Sequence, residues 1–142
     1  MADTLKTLDN LVRLAKKNVE DIQKQIVEVQ TAIEGHALKI RSLQKKLEDE
    51  ALAAGADPML LTALSRFTEK TEKDIKERQG KLAALRQHEA VLRDQLTEEF
   101  ATQKRYEILL ERKQLERKKR IEKAHQDQFD EVAATTHRKK TS

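Results

Sequence analysis

The sequence predicts an all-α fold: two long helices that form an antiparallel coiled-coil hairpin, with helix 2 extending beyond helix 1. Two observations carry this prediction. Apolar residues recur in alternating steps of three and four along both halves of the chain. Charged residues make up 38% of the sequence and aromatic residues 3%, with one proline, a composition that suits long helices with a narrow apolar seam.

Helix 1 is predicted over residues 4–53, where the a and d positions of about seven successive heptads are almost all apolar. Only His36 and Glu50 interrupt this seam with polar side chains. The seam positions are Leu5, Leu8, Val12, Ala15, Val19, Ile22, Ile26, Val29, Ile33, His36, Ile40, Leu43, Leu47, Glu50 and Ala54.

The segment 54–58 contains the strongest helix-breaking signal in the sequence. Gly55 follows the last seam residue of helix 1, where a C-terminal capping glycine is expected. Asp57 then suits the N-cap of a new helix, and Pro58 suits its first position. A connection this short makes the two helices antiparallel neighbours.

Helix 2 is predicted from Pro58 to about residue 135, with a seam of the same spacing and more polar interruptions. This seam consists of Leu61, Leu64, Thr68, Thr71, Ile75, Arg78, Leu82, Leu85, Glu89, Leu92, Leu96, Glu99, Gln103, Tyr106 and Leu110. Apolar residues whose numbers add up to 114 or 115 are predicted to face one another, namely Leu5 and Leu110, Val19 and Leu96, Ile22 and Leu92, Val29 and Leu85, Ile33 and Leu82, and Ile40 and Ile75. The constant register predicts a single coiled-coil domain.

In this register the start of helix 1 pairs with residue 110 of helix 2. Residues 111–135 are therefore predicted to form a helical overhang without a partner in the chain. From residue 111 to the C-terminus there are ten Lys/Arg against six Asp/Glu, and the first 110 residues hold nineteen of each. The entire net charge of +4 therefore lies in the last part of the sequence.

The sequence contains no motif for catalysis, cofactor binding or metal binding. Its three glycines are scattered and form no phosphate-binding loop, and its four histidines share no ligand spacing. It has no cysteine, no secretory signal, and no apolar run of the roughly 20 residues that span a bilayer. We therefore expect a non-enzymatic cytoplasmic protein without cofactors.

One polar layer lies inside the predicted seam, where His36 faces Arg78. Such a layer could be a pH-sensitive or ligand-contacting site, or a polar layer that fixes the register of the helices. The sequence leaves both interpretations open.

A basic cluster in the overhang is the strongest charge feature of the sequence. Its members are Arg112, Lys113, Arg117, Lys118, Lys119, Arg120 and Lys123. The cluster could be a solvated helix face, an electrostatic docking site for an acidic protein surface, or a nucleic-acid contact. Nucleic acid is the weakest of the three, because no heptads follow the basic helix and no aromatic residues are interleaved for base stacking.

A short apolar stripe follows the basic cluster. Phe129, Val132 and Ala133 fall on one helical face at i, i+3 and i+4, and helix 1 does not reach them in the predicted register. Docking to another protein explains this stripe better than an incidental placement of apolar residues does. Gln126, Asp130 and Glu131 lie beside the stripe.

Three groups of residues together point to a known family. The C-terminal signature is Gln126, Phe129, Asp130, Glu131 and Ala133, with Arg138 and Lys139 as a basic tail. The other two groups are Leu8, Leu11, Arg13, Leu14, Ala15, Lys16 and Val19 near the start, and Phe67, Ile75 and Leu82 after the turn. This pattern resembles the FliJ family of small coiled-coil proteins in the bacterial flagellar type III export apparatus. Thr68 and Thr71, in place of Ile and Leu, and the lack of a tryptophan are departures from it.

The resemblance implies a non-enzymatic stalk in the pore of the hexameric export ATPase. Such a protein also contacts the ATPase regulator and the membrane export gate, escorts export chaperones, and binds no nucleic acid. It is expected in the cytoplasm, reaching the inner-membrane export apparatus only through its partners. The alternatives are a self-associating structural coiled coil and the stalk of a homologous virulence secretion system.

Overall fold

The computed structural model describes residues 2–141. Within them it contains two helices, α1 (Ala2–Ala54) and α2 (Pro58–Thr141), and no strand. This confirms the predicted all-α fold with a longer second helix. α2 extends some residues past its predicted end near 135, and the basic residues at 138–140 suit the negative end of the helix dipole there.

The connection between the helices is formed by residues 55–57. Gly55 has a positive φ of 56°, a left-handed conformation that glycine adopts without steric cost after a helix. The Asp57 Oδ1 atom accepts a hydrogen bond from the Met59 N–H at 2.9 Å, and the Leu61 N–H donates to the Asp57 carbonyl at 2.8 Å. Gly55, Asp57 and Pro58 therefore occupy the capping positions that the sequence predicts.

The packing divides into two units, which are described one at a time. In the unit of residues 19–98, α1 and α2 pack through two apolar clusters. The first consists of buried Ile26, Val29 and Leu92, with Ile22, Ile33, Leu85 and Leu96 packed against them. The second consists of buried Ile40, Ile75 and Leu82, with Ile33, Leu43 and Leu47. Four predicted pairs thus have both members in one cluster: Ile22 and Leu92, Val29 and Leu85, Ile33 and Leu82, and Ile40 and Ile75.

The other unit contains residues 2–18 and 99–141 within the described part of the chain. Val12 and Ala15 of α1 are buried, and Tyr106 and Leu110 of α2 are half-buried. From residue 111 to residue 140 every side chain is exposed. The seam of this unit therefore ends at Leu110, as predicted. That the two units form a single domain stays a prediction.

Two predicted seam positions are exposed in the structure, and all others are buried or half-buried. The exceptions are Glu50 and Leu61, both close to the turn. The end of α1, at Ala53 and Ala54, lines a groove with Leu60, Leu64 and Phe67 of α2 and not with Leu61. Thr71, which departs from the family pattern, is buried.

The polar layers of the 19–98 unit are bonded in different ways. The Glu89 carboxylate accepts hydrogen bonds from Arg93 Nη2 at 2.8 Å and from Gln30 Nε2 of α1 at 3.3 Å. The Arg93 bond, followed by the Gln30 bond, lowers the pKa of Glu89. In the other layer, His36 Nδ1 is buried without a hydrogen-bond partner, and Arg78 Nε instead donates to Asp74 on its own helix at 3.1 Å.

The register can be tested with cysteines in place of Ile33 and Leu82, because the native chain has no cysteine. Both side chains contact the second cluster, so mild oxidation of a dilute sample is expected to form a disulfide within one chain. Mass spectrometry of the digested protein measures it. The matched control combines Leu38→Cys with Leu82→Cys. Leu38 is 59% exposed and lies outside the seam, so this pair should not cross-link. Exclusive formation of disulfides between chains would contradict the register.

Candidate functional site

The C-terminal segment, residues 111–140, combines exposed basic residues with exposed apolar ones. Its large apolar side chains are Leu115, Ile121, Phe129 and Val132, which are 51%, 46%, 74% and 65% exposed. The rest of the segment is mostly charged or polar. Large apolar side chains on an otherwise polar, unpaired helix indicate a surface that another molecule covers.

Two of these residues, Ile121 and Val132, share a face of α2 with half-buried Leu110, which lies just before the segment. Leu110, Ile121 and Val132 are eleven residues apart, which is about three helical turns, so their side chains point in nearly the same direction. Phe129 lies one turn before Val132 and borders the same face. We call these four residues the apolar stripe. The apolar stripe continues the seam of this unit along α2, beyond Leu110, where pairing with α1 ends.

The start of α1 and the part of α2 that contains Leu110 and Ile121 together form a groove of about 690 Å³. Leu5, Leu110 and Ile121 supply its apolar surface. Its charged and polar lining consists of Lys6, Asp9, Gln114, Arg117, Lys118 and Glu122. A neighbouring groove of about 230 Å³ is lined by Thr4, Leu5, Lys113, Glu116, Arg117 and Arg120. Both grooves place cationic side chains next to apolar surface.

The structure separates the basic cluster into two groups. Lys113, Arg117, Lys118 and Arg120 line the grooves. Arg112, Lys119 and Lys123 lie on the opposite side of the helix, roughly 160–200° around its axis from Ile121. Lys113 Nζ also meets Glu116 Oε2 at 3.4 Å, an exposed ion pair that contributes little to stability.

The C-terminal signature is also divided between helix faces. Phe129 and Val132 belong to the apolar stripe. Gln126 Nε2 donates a hydrogen bond to Asp130 Oδ1 at 3.2 Å on another face, and Glu131 accepts the Thr135 hydroxyl at its backbone carbonyl. Gln126 and Asp130 therefore support the helix and do not extend the apolar surface.

The predicted site residues do not include Leu5, Leu110 and Ile121, which line the larger groove. Heptad spacing assigns Leu5 and Leu110 only to the last layer of the seam, and no sequence motif singles out Ile121. The signal that identifies Ile121 is its eleven-residue spacing from both Leu110 and Val132, which places all three on one helical face.

No group of three or more His, Asp or Glu side chains within residues 2–141 is arranged to hold a metal ion. In the same unit, the Glu107 carboxylate accepts hydrogen bonds from Gln103 Nε2 at 2.9 Å and from Lys104 Nζ at 3.2 Å. The Gln103 bond, followed by the Lys104 bond, lowers the pKa of Glu107. No helix of the described residues is long and apolar enough to cross a membrane.

A family model described as "Flagellar FliJ protein" matches residues 5–142. The chain belongs to the FliJ family. Flagellar FliJ proteins of Caulobacter vibrioides strains NA1000/CB15N and ATCC 19089/CB 15 are each 25% identical to it over 124 residues, which are 87% of this chain and 89% of theirs. No solved structure gives a significant match.

Family membership confirms the resemblance seen in the sequence. It implies a component of the flagellar export apparatus, in a family of structural and export components that is not known for catalysis. The match begins at Leu5 and includes the whole C-terminal segment, so every residue that lines the larger groove lies within it.

Proposed function

We propose that this FliJ-family protein is the non-enzymatic stalk of the flagellar protein export machinery, and that its C-terminal segment docks on the hexameric export ATPase ring. The observation that carries this proposal is the exposed apolar stripe bordered by cationic side chains, in a chain whose family is flagellar. A surface of this kind suits a partner that offers acidic groups around an apolar pocket.

The two parts of the surface have different roles in docking. Arg117 and Lys118, together with Lys113 and Arg120, attract an acidic ring mouth over several ångströms and raise the association rate at low salt. Phe129 and Val132 then lose water against the ring and slow dissociation. A single aromatic anchor of this kind contributes about 2 kcal/mol or more to binding.

The proposal extends to the other partners of the machinery. The protein contacts the ATPase regulator and the export gate, escorts export chaperones, and stays in the cytoplasm except where these partners hold it at the inner membrane. Family membership supports these contacts. The flagellar family match also favours flagellar over virulence secretion. A chain that self-associates and never binds the ATPase would instead be a structural coiled coil.

The proposal is tested by binding kinetics with the purified export ATPase of the same organism. Phe129→Ala is expected to speed dissociation about 30-fold with little change in association, because it removes the anchor. Arg117→Glu with Lys118→Glu is expected to slow association at least about tenfold at low salt and to flatten its salt dependence. Surface plasmon resonance over a salt series measures both rates.

Each change has a matched control on another face of the same segment. Leu115→Ala removes a large exposed apolar side chain that lies off the stripe. Arg112→Glu with Lys119→Glu makes the same change in net charge on the opposite face. Both controls should bind nearly as the unaltered chain does. If the controls and the test variants behave alike, the apolar stripe is not the docking surface.

A further inference from the structure

We propose that the C-terminal segment of one copy of this chain docks on an acidic groove beside the turn of a second copy. The acidic groove is a face of α2 that encloses about 410 Å³ and is lined by Leu61, Leu64, Ser65, Thr68, Glu69 and Glu72. All six residues belong to the 19–98 unit.

One end of the acidic groove carries an apolar side chain that α1 does not cover. Leu61 is 43% exposed, although the heptad pattern assigns it to the seam. The end of α1 lines a different groove with Leu60, Leu64 and Phe67, and no α1 residue lines the groove that contains Leu61. An uncovered leucine in a groove gains from contact with an apolar side chain of another molecule.

The other end of the acidic groove carries unpaired negative charge. Glu69 and Glu72 are exposed, and no lysine or arginine lines the groove. Among the described residues, neither carboxylate takes part in an ion pair or a side-chain hydrogen bond. A molecule that binds in the acidic groove is therefore expected to carry lysine or arginine next to an apolar side chain.

The C-terminal segment of this chain has that chemistry on one face. Arg117 and Lys118 lie four and three residues before Ile121, so both cations border its apolar side chain. The order of charged and apolar residues is opposite in the acidic groove, where Leu61 precedes Glu69. Antiparallel packing of the two helices therefore brings Ile121 toward Leu61 and the cations toward the carboxylates.

Other contacts between copies fit less well. Two acidic grooves facing each other would bring the carboxylates of Glu69 and Glu72 together, and two C-terminal segments would oppose their cations. The acidic groove spans about 16 Å from Leu61 to Glu72, so one such contact is small and weak. Self-association is therefore expected at high protein concentration and low salt.

A charge exchange between two full-length variants tests this contact by sedimentation equilibrium at low salt. The groove variant carries Glu69→Lys and Glu72→Lys, and the segment variant carries Arg117→Glu and Lys118→Glu. With rising concentration the unaltered chain should move from the 16.4 kDa of one copy to twice that mass or more. Each variant alone should stay monomeric, and their equimolar mixture should associate again because opposite charges meet once more.

The control variant, Asp94→Lys with Glu98→Lys, makes the same change in net charge at exposed positions outside the groove and should associate as the unaltered chain does. All substituted side chains are exposed, and circular dichroism checks that the helices persist. A mixture that stays monomeric, or a groove variant that still associates, overturns the inference. The groove variant should still bind the export ATPase, which separates failure here from failure of the proposed function.

Discussion

A chain truncated after Glu111 is expected to lose binding to the export ATPase and stimulation of its activity while the hairpin stays folded. The buried and half-buried positions end at Leu110, and every described side chain beyond it is exposed, so removing these residues costs little packing. The same truncation removes Arg117, Lys118 and most of the apolar stripe. The surface that supplies both the association rate and the slow dissociation is therefore lost.

Two measurements on the truncated chain separate folding from docking. Thermal unfolding followed by circular dichroism should give nearly the same midpoint as the full chain, whereas binding to immobilised ATPase should become undetectable. An intermediate chain ending at Ala124 keeps the grooves but lacks both Phe129 and Val132, and should bind with an affinity that is lower by more than about 30-fold. Full binding and stimulation by the chain ending at Glu111 would assign the contact to the paired helices instead.

Leu92→Ala is expected to lower the free energy of unfolding by about 3 kcal/mol, since it removes a buried leucine and leaves a cavity. Leu92 is 2% exposed and packs in the cluster of Ile26 and Val29. A hairpin of two helices has few other layers to compensate for this loss. Urea denaturation followed at 222 nm measures the change, with the slope expected to stay constant.

The neighbouring residue supplies the control for this core substitution. Val91 is 47% exposed, so Val91→Ala should change the free energy of unfolding by less than about 0.5 kcal/mol. Leu92→Met keeps the side-chain volume and should cost less than about 1.5 kcal/mol. Equal losses for Leu92→Ala and Val91→Ala would show that the seam does not run through Leu92.

Much of the fold could be predicted from the sequence because its signals are local and repetitive. The heptad spacing of residues such as Ile26, Ile33 and Ile40 selects one helix face for burial wherever a partner helix is present. Gly55 and Asp57 end one helix and start the next through their own backbone and side-chain geometry. The register then follows, because a short turn leaves little freedom in how the two seams align.

The candidate site could be predicted less completely. Net charge located the basic cluster, but all of its cations look alike in a linear sequence. The division between Arg117 and Lys118 at the groove and Arg112 and Lys119 on the opposite face depends on where α1 starts and which face of α2 it covers. The importance of Ile121 arises in the same way, because its neighbours in the groove include Leu5 from the other end of the chain.

The sequence by itself determined two helices, their turn and the residues that form their seam, since helix periodicity and capping act over only a few neighbouring residues. Only the tertiary structure decided which seam positions near the turn lose their cover. Leu61 has the spacing of a buried residue but is exposed, and the end of α1 lines a groove with Leu60, Leu64 and Phe67 instead. Exposure depends on which face of α2 the end of α1 meets, and the local sequence around Leu61 does not contain that information.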